Sequence, residues 1–337
     1  MSSSDAGVAT AGDDGNTDLA EAIPAPQNVR AIARIGTDCF LRVIDTMARL
    51  AGDDLVLALV YNAMWTANVR HITTSAANTQ YGDMDHIPPD DLRVPISVMA
   101  LANSLRIPYE TVRRCVLRML DQGLCIRVGR NGYIVPSRVF ALQAQRESFK
   151  EGLPTLLHFV GDLKKAGFDF QPYHRVLPQT VAIPPGGAMP PNARALLRVF
   201  LELVFRGIDT LGRIHGDDFL KSLIFSAIWA ANVQHITNSA DNRKFGNLRD
   251  LPPDEMRRPI TVNALATSLR IPYETVRRAI NRLVRDGEAV RVEGKGLIVP
   301  RARLAKADNY EGVRRTYIHI ARTIADLHRA GFDFRGY

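Results

Sequence analysis

The stretch "RIPYETVRR" occupies residues 106–114 and recurs unchanged at residues 270–278. When the chain is shifted by 164 residues it aligns with itself without a gap: residues 30–173 lie over residues 194–337, with 63 identities in 144 positions. A match of this length indicates duplication of a whole domain, not the short period of a solenoid. We call residues 30–173 copy 1 and residues 194–337 copy 2.

The segments outside the copies are unlike them in composition. Residues 174–193, between the copies, are rich in Pro and Gly and predict a semi-extended linker. Residues 1–29 are acidic, small and poor in apolar side chains, which predicts a disordered tail. The N-terminus lacks an export signal, and the longest apolar run, residues 55–65, is too short to span a bilayer. We expect a cytoplasmic protein with no membrane association.

Positive charge is concentrated around the repeated nonapeptide. The chain carries a formal net charge of +8, and residues 93–150 and residues 257–303 carry +7 each. The rest of the chain is therefore net negative. Because each basic segment contains one copy of "RIPYETVRR", the charge pattern points to an anionic partner such as nucleic acid.

Apolar spacing and turn residues predict the elements of copy 1. A helix is expected over 30–50, and a second begins at Asp53 or Asp54 and runs to about Thr73. Residues 94–97 are expected to form a short strand. Ser97 is placed to cap a helix over 98–105, as Thr261 is in copy 2.

The nonapeptide begins the next helix of each copy. After a four-residue turn a helix is expected over 109–122, ended by Gly123. Two β-type runs joined at Asn131-Gly132 predict a hairpin. A last helix, roughly 154–166, precedes a Phe-Asp-Phe segment that should pack back onto the domain.

The helix over 109–122 has two distinct faces. Spacings of three and four residues place one set toward the core: Val112, Cys115, Val116 and Met119, with Val276, Ala279, Ile280 and Leu283 in copy 2. The opposite face carries Tyr109, Glu110, Arg113, Arg114, Leu117 and Arg118, and in copy 2 Tyr273, Glu274, Arg277, Arg278, Asn281 and Arg282. The outward face is therefore predicted to be basic and exposed.

The order helix, tight turn, helix, hairpin is typical of a winged helix-turn-helix. Residues 93–136 and 257–300 resemble the DNA-binding domains of GntR- and MarR-type bacterial transcriptional regulators. The similarity lies in an A-x-x-L-x-(V/I)-x-x-x-T-V-R core, a Leu-x-x-x-Gly exit and the hairpin that follows. It implies a mainly α fold with small β-hairpin wings, built as two tandem winged helix-turn-helix domains with flanking N- and C-terminal helices.

Arginine is the commonest reader of guanine in the major groove, and Glu can accept a bond from cytosine. Thr111 and Thr275 suit a phosphate or a thymine methyl group, and the hairpin tips are placed to touch backbone or minor groove. The residues predicted to contact DNA are Arg106, Tyr109, Glu110, Thr111, Arg113, Arg114, Arg118, Arg130 and Asn131 in copy 1, and Arg270, Tyr273, Glu274, Thr275, Arg277, Arg278, Asn281, Arg282 and Lys295 in copy 2.

These predictions lead to one preferred function. We expect a sequence-specific double-stranded DNA-binding transcription regulator that acts as a covalent pseudo-dimer, with the flanking helices available for self-association. Its two recognition helices should enter successive major grooves, about 10 bp apart or a multiple of that. The alternatives are a plasmid- or phage-type replication initiator with tandem winged helices and a winged-helix protein-interaction scaffold.

Other chemistry finds little support in the sequence. There is no nucleophile, metal-ligand or phosphate-loop pattern, and the three cysteines lack disulfide or zinc spacing, so we expect neither enzymatic activity nor a metal or cofactor. Asn68, His71 and Ser75 could line an effector pocket or form an interhelical contact, and the contact is favoured. Trp65 and Trp229 are expected to pack in the core.

Overall fold

The computed structural model describes residues 26–75, 77–184, 188–216 and 218–337, which form a mainly helical fold with two small antiparallel hairpins, as expected. In copy 1 the longer elements are α1 (Val29–Leu50), α2 (Leu55–Asn68), α3 (Val98–Leu105), α4 (Tyr109–Asp121), β1 (Ile126–Val128), β2 (Gly132–Ile134) and α5 (Gln143–Lys165). In copy 2 they are α6 (Ala193–His215), α7 (Phe219–Thr237), α8 (Val262–Leu269), α9 (Tyr273–Arg285), β3 (Val290–Val292), β4 (Gly296–Ile298) and α10 (Ala307–Arg329). The short helices are Arg70–Thr73, Ala77–Gln80, Asp90–Leu92, Ser137–Phe140, Gln171–Tyr173, Asp241–Lys244, Asp254–Met256 and Arg301–Leu304. The predicted disordered tail lies outside the described residues as far as residue 25.

Side-chain caps begin four of these helices. Each capping oxygen accepts a hydrogen bond from the backbone N–H three residues later, at 2.9–3.1 Å. Such a bond satisfies one of the amide donors that a helix N-terminus leaves free. The caps are Asp54, Ser97, Asp218 and Thr261. The caps predicted from the sequence are therefore confirmed.

The nonapeptide forms the turn between α3 and α4. Arg106 and its equivalent Arg270 adopt left-handed backbone angles, with φ of 53° and 54°. Ile107 is buried beside this turn, and Pro108, with φ of −52°, directly precedes α4. After α4, Gly123 takes φ of 68°, the conformation that glycine supplies at helix ends. The expected turn and exit are confirmed.

The hairpin of copy 1 packs against the segment that precedes α3. Val128 lies opposite Gly132, so the loop holds residues 129–131. Ile96 forms an isolated bridge to the middle of β2, and it is all that remains of the strand expected at 94–97. A Cβ at Gly132 would lie 2.5 Å from Cβ of Pro95, so this close approach requires glycine.

A buried asparagine joins α2 to the hairpin. Asn68 is fully buried, and its amide makes three hydrogen bonds of 2.8–3.1 Å to the backbone of Val94, Tyr133 and Val135. Asn232 makes the same three bonds in copy 2. His71 and Ser75 are exposed. The sequence leaves two roles open, lining an effector pocket or forming a structural contact. Asn68 has the structural role, because its buried amide is hydrogen-bonded within the fold.

Reciprocal arginines hold the two copies together. On α1, Arg34 is 2 % exposed, and its guanidinium donates to the side chain and carbonyl of Asn242 at 2.7–2.9 Å and to the carbonyl of Phe245 at 2.9 Å. On α6, Arg198 donates in the same way to Asn78 of copy 1. Each first helix therefore inserts a buried cation against a short helix of the opposite copy, Asp241–Lys244 or Ala77–Gln80, in a pseudo-two-fold arrangement.

The same exchange is repeated one turn earlier. Arg30 donates to the carbonyl of Leu248 at 3.0 Å, and Arg194 donates to that of Asp83 at 3.1 Å. Around these contacts α1 packs on α5 and α10, and α6 packs on α10 and α5. The four long helices, two from each copy, thus form one continuous centre for the molecule.

The Phe-Asp-Phe segments close one end of this centre. Phe170 stacks on Phe334 with ring centroids 5.3 Å apart and planes at 18°. Phe168 contacts Tyr317 of α10, with centroids 6.3 Å apart. The expected packing is confirmed, and it crosses from one copy to the other because the segments meet at the pseudo-two-fold axis.

The last helix of copy 1 is longer than predicted. α5 begins at Gln143, whereas the sequence predicts a start near 154, and Pro154 lies inside the helix. Residues before the proline are held by tertiary contacts, since Phe149 is buried edge-on against Trp65 with centroids 5.6 Å apart. Burial of this aromatic pair outweighs the helix-breaking preference of proline.

The second helix is shorter than predicted in copy 1. α2 ends at Asn68, and Arg70–Thr73 forms a separate short helix. The break lies at Val69, whose N–H bonds to the carbonyl of Thr66, three residues back. In copy 2 the equivalent helix is continuous, so the expectation holds there.

The described residues of the linker between the copies, 174–184 and 188–193, lie against copy 2. The N–H of Val181 donates to the carbonyl of Gly331 at 2.9 Å, in an isolated parallel bridge. Asn192 donates to Ala330 at 2.9 Å. These segments are therefore fixed to the C-terminal end of α10.

Copy 2 replaces three apolar residues of copy 1 with a buried charged cluster. His215, Glu288 and Arg303 stand where copy 1 has Ala51, Leu124 and Val139. Arg303 donates to the Glu288 carboxylate, and His215 Nδ1 lies 3.5 Å from it. Burial opposes ionisation of Glu288, but the nearby His215 ring and the hydrogen bond and charge of Arg303 outweigh it and lower the pKa of Glu288 to about 2.

We predict that Glu288→Gln destabilises the protein in a pH-dependent way. A carboxyl group with a depressed folded-state pKa stabilises the fold above its unfolded value and loses that contribution as pH falls. At pH 7 the variant should lose about 2–3 kcal/mol of unfolding free energy, and the difference should shrink from about pH 4.5 downward. Urea unfolding between pH 7 and pH 3 measures this.

The control for this experiment is Glu293→Gln, at an exposed position of the hairpin in copy 2. It should change stability by less than about 0.5 kcal/mol at every pH. A Glu288→Gln effect that stays constant from pH 7 to pH 3 would contradict the ion-pair assignment.

Candidate nucleic-acid interface

The predicted division of α4 and α9 into a core face and an exposed face is confirmed. The buried residues are Val112, Cys115, Val116 and Met119 on α4, and Val276, Ala279, Ile280 and Leu283 on α9. Every residue predicted for the outward face is exposed. Thr111 and Thr275 are half-buried at the edge of that face. Each copy therefore presents one helix with a basic outer surface.

Large apolar groups are part of this outer surface. Tyr109 and Tyr273, in the first turn of each helix, are 44 % and 47 % exposed, and Leu117 is 46 % exposed. The outer surface of each helix thus combines apolar groups with positive charge. The first turn also presents free backbone amides, which favour an anion at this end of the helix.

Glutamates orient the leading arginines. The carboxylate of Glu110 accepts two hydrogen bonds from Arg113, both at 2.9 Å, and that of Glu274 accepts three from the Arg277 guanidinium at 2.8–3.1 Å. These bonds lower the pKa of each glutamate and raise the pKa of each arginine. Because both pairs are exposed, they orient the guanidinium without removing it from solvent.

The later arginines of the face fall into two kinds. Arg118 lies 2.6 Å from Asp54 and Arg282 lies 3.0 Å from Asp218, so each pairs with the carboxylate that caps the second helix of its copy. Arg114 and its copy 2 equivalent Arg278 are exposed and have no ion-pair partner among the described residues. These two cations are the ones most readily available to an external anion.

Arg106 and Arg270 occupy a different place from the other predicted contacts. Arg106 pairs with Asp209 of copy 2 at 2.9 Å. Arg270 pairs with Asp45 at 2.8 Å and with Asp53 at 2.7 Å, both in copy 1. The structure thus places them between the copies, where each ties the turn before α4 or α9 to the first helix of the other copy.

The hairpins add charge beside the helices. Arg130, Asn131 and Lys295 are exposed in the loops, where the sequence places them. The sequence reasoning missed Arg127 and Arg291, which are exposed on the outer strands. Arg291 donates to the side-chain oxygen of Asn281 on α9 at 2.9 Å, so the hairpin and helix share one surface.

The signal for these two residues was present in the sequence. Arg127 and Arg291 stand at equivalent positions, in Ile-Arg-Val and Val-Arg-Val. Alternation along a strand predicts that one side of the hairpin faces outward. What the sequence could not show is that this side continues the exposed face of α9.

We predict that the inter-copy ion pairs fix the positions of α4 and α9 rather than the stability of the fold. Exposed pairs contribute about 0–1 kcal/mol each, so the combined variant Asp45→Asn, Asp53→Asn and Asp209→Asn should remain folded. The distance between its two helix-turn-helix segments should then vary over a broader range than in the wild type. Spin labels at Met99→Cys and Asn263→Cys, both exposed positions, measure that range by double electron–electron resonance.

The three native cysteines are buried and should not take the label. Asp121→Asn, at the exposed end of α4, is the matched control and should leave the distance distribution unchanged. An unchanged width in the triple variant would show that apolar packing alone sets the separation.

Among the described residues no group of three or more His, Cys, Asp and Glu side chains could hold a metal ion. In the same part of the chain no helix combines the length and apolar character needed to cross a bilayer. No protein-family model, no curated protein and no solved structure matches the chain.

Proposed function

We propose that the protein is a sequence-specific double-stranded DNA-binding transcription regulator. Its two copies would be tandem winged helix-turn-helix domains acting as a covalent pseudo-dimer. The observation that carries the proposal is that the same basic, solvent-exposed helix face occurs twice, on α4 and α9, in copies joined by reciprocal contacts. Two matched readers on one rigid body suit a bipartite DNA site.

In this proposal the first turns of α4 and α9 read base edges. Arg113 and Arg277 would leave their glutamate partners to donate to guanine, while Glu110 and Glu274 would be free to accept from cytosine. Arg114 and Arg278 would contact phosphate, as would the exposed hairpin residues Arg130, Asn131, Lys295, Arg127 and Arg291. We assign Arg106 and Arg270 to positioning of the readers, since both are held by carboxylates of the opposite copy.

The two half-sites would be related but not identical. Tyr, Glu, Thr and Arg are the same in both leading turns, whereas Leu117 of α4 is replaced by Asn281 on α9. An asparagine can bond to adenine and a leucine cannot. Arg291, bonded to Asn281, would fix the orientation of that amide.

The distribution of charge supports the same proposal. Residues 93–150 and residues 257–303, which include α4 and α9, carry a net charge of +7 each, whereas the whole chain carries +8. Binding that releases counterions from DNA weakens steeply as salt rises. The proposal involves no catalytic residue, no metal and no cofactor, and it places the protein in the cytoplasm with the nucleoid.

We predict that Arg113→Ala and Arg277→Ala each weaken binding to the preferred DNA by about 1–3 kcal/mol and relax sequence preference in one half-site. The preferred DNA is first selected from a random duplex pool with the full-length chain. Arg114→Ala should weaken binding to all sequences alike and lower the salt dependence. Fluorescence anisotropy at several salt concentrations distinguishes these two effects.

Arg335→Ala is the control, because Arg335 is exposed and paired with Asp333 near the C-terminus, away from α4 and α9. If the Arg113→Ala, Arg277→Ala double variant binds like the wild type, the recognition helices are wrongly assigned. If no duplex is selected, no salt-dependent DNA binding is found and a stable partner protein co-purifies, the interaction scaffold is favoured. Binding in cells confined to one replication origin would favour the initiator.

A further inference from the structure

Copy 1 contains a cavity of about 500 Å³ between α1, α2, α5 and α6. This volume is within the range of about 300–1,000 Å³ that is usual for small-molecule sites. Its walls are mostly apolar and include Met47, Ala58, Trp65, Phe149, Leu197 and Leu201. It opens to solvent, since Leu50 and Arg118 of its lining are exposed, so a molecule from solution can enter it.

The equivalent space in copy 2 is almost filled. It measures about 80 Å³ and is lined by the corresponding helices. His215, whose counterpart in copy 1 is Ala51, has a side chain only 1 % exposed and a ring centroid 4.1 Å from that of Phe225. Thr316 stands where copy 1 has Gly152. The duplication therefore shows that the fold can close this space and that copy 1 leaves it open.

One polar group in the cavity of copy 1 lacks a partner. Tyr61 lines the cavity, and its buried hydroxyl makes no hydrogen bond within the described part of the chain. Burial raises the pKa of Tyr61, so the hydroxyl stays neutral and can donate a bond. Copy 2 has Phe225 at this position, so packing does not require the hydroxyl. An unpaired buried hydroxyl is costly unless a ligand or water satisfies it.

The cavity also reaches α4. Arg118 and Gln122, at the end of that helix, form part of its lining. Arg118 at the same time pairs with Asp54, which caps α2. A molecule in the cavity would therefore contact α2 and α4 together.

We propose that copy 1 binds one uncharged, mainly apolar small molecule per chain, which fills this cavity and hydrogen-bonds to the Tyr61 hydroxyl. Arg118 and Glu147, the charged residues of the lining, are exposed to solvent. Against the apolar part of the walls an uncharged ligand is favoured, because a buried charge without a partner is strongly disfavoured. Copy 2 cannot take a second molecule, since its space is closed by His215 and its neighbours. The site does not depend on DNA binding, but an effect of the ligand on DNA affinity rests on the proposed function.

Isothermal titration calorimetry with the full-length chain and three neutral aromatic probes, 2-naphthol, 4-phenylphenol and indole, tests the site without DNA. We expect saturable binding of at least one probe at one molecule per chain. Ala58→Phe, which places a ring in the cavity, should weaken that binding by tenfold or more. Tyr61→Phe removes one hydrogen bond, so it should weaken the binding of a phenolic probe by about 3- to 10-fold. The binding of indole should be less affected.

The matched control lies in copy 2. Trp229→Phe changes the wall of the closed space and should leave binding unchanged. It also leaves Trp65 as the remaining tryptophan of the chain, so that probe binding can be followed by its fluorescence. If Ala58→Phe fails to fold, Tyr61→Phe still decides the matter, because copy 2 already accommodates phenylalanine there.

Absence of saturable binding by all three probes would overturn the proposal, as would binding that neither variant weakens. Two molecules bound per chain would overturn the assignment to copy 1. A second titration then measures the affinity of the chain for the selected duplex with and without a bound probe. We expect the two affinities to differ by about fivefold or more. Failure of this second step alone leaves the ligand site standing and separates it from the coupling to DNA.

Discussion

The structure depends on the insertion of Arg34 and Arg198 against short helices of the opposite copy. Burial lowers the pKa of each guanidinium to about 9, so both remain charged at neutral pH. A buried cation must be fully hydrogen-bonded, and here carbonyl and amide oxygens of Asn242 and Asn78 accept from it. Separating the copies would leave these groups unpaired, so the two copies form one body whose relative orientation is set by specific bonds.

The positions of the exposed helices α4 and α9 depend on these contacts between the copies. Each first helix carries buried arginines near its start and, farther along, an aspartate that pairs with the helix-turn-helix turn of the other copy: Asp45 with Arg270 and Asp209 with Arg106. The same helix thus fixes the opposite copy at two points. Asn68 and Asn232 then hold the hairpins to the second helices, so that helix face and hairpin form one surface.

Much of the local structure could be predicted because its causes are local. Asp54 and Ser97 precede apolar periodic segments, and the three- and four-residue spacing of Val112 and Cys115 defines the buried face of α4. The roles of Arg106 and Arg270 could not be predicted, because their partners are more than 100 residues away and a basic residue beside an exposed basic helix resembles a contact to an anionic partner. The start of α5 was missed because the burial of Phe149 against Trp65 is a tertiary effect that outweighs Pro154. The cavity was also beyond prediction, since it depends on how four helices from both copies meet.

The covalent joining of the copies has a consequence for how their sequences can change. In a dimer of identical chains every substitution appears on both sides of the symmetry axis, so a change that suits one half is imposed on the other. Here a substitution alters one half only. Leu117 and Asn281 already differ on outward faces of α4 and α9 whose other five residues match, and His215, with a charged cluster around it, stands at the position of Ala51. The arrangement keeps two-fold architecture while allowing the surface and interior of each half to change separately, without the need to assemble two different chains.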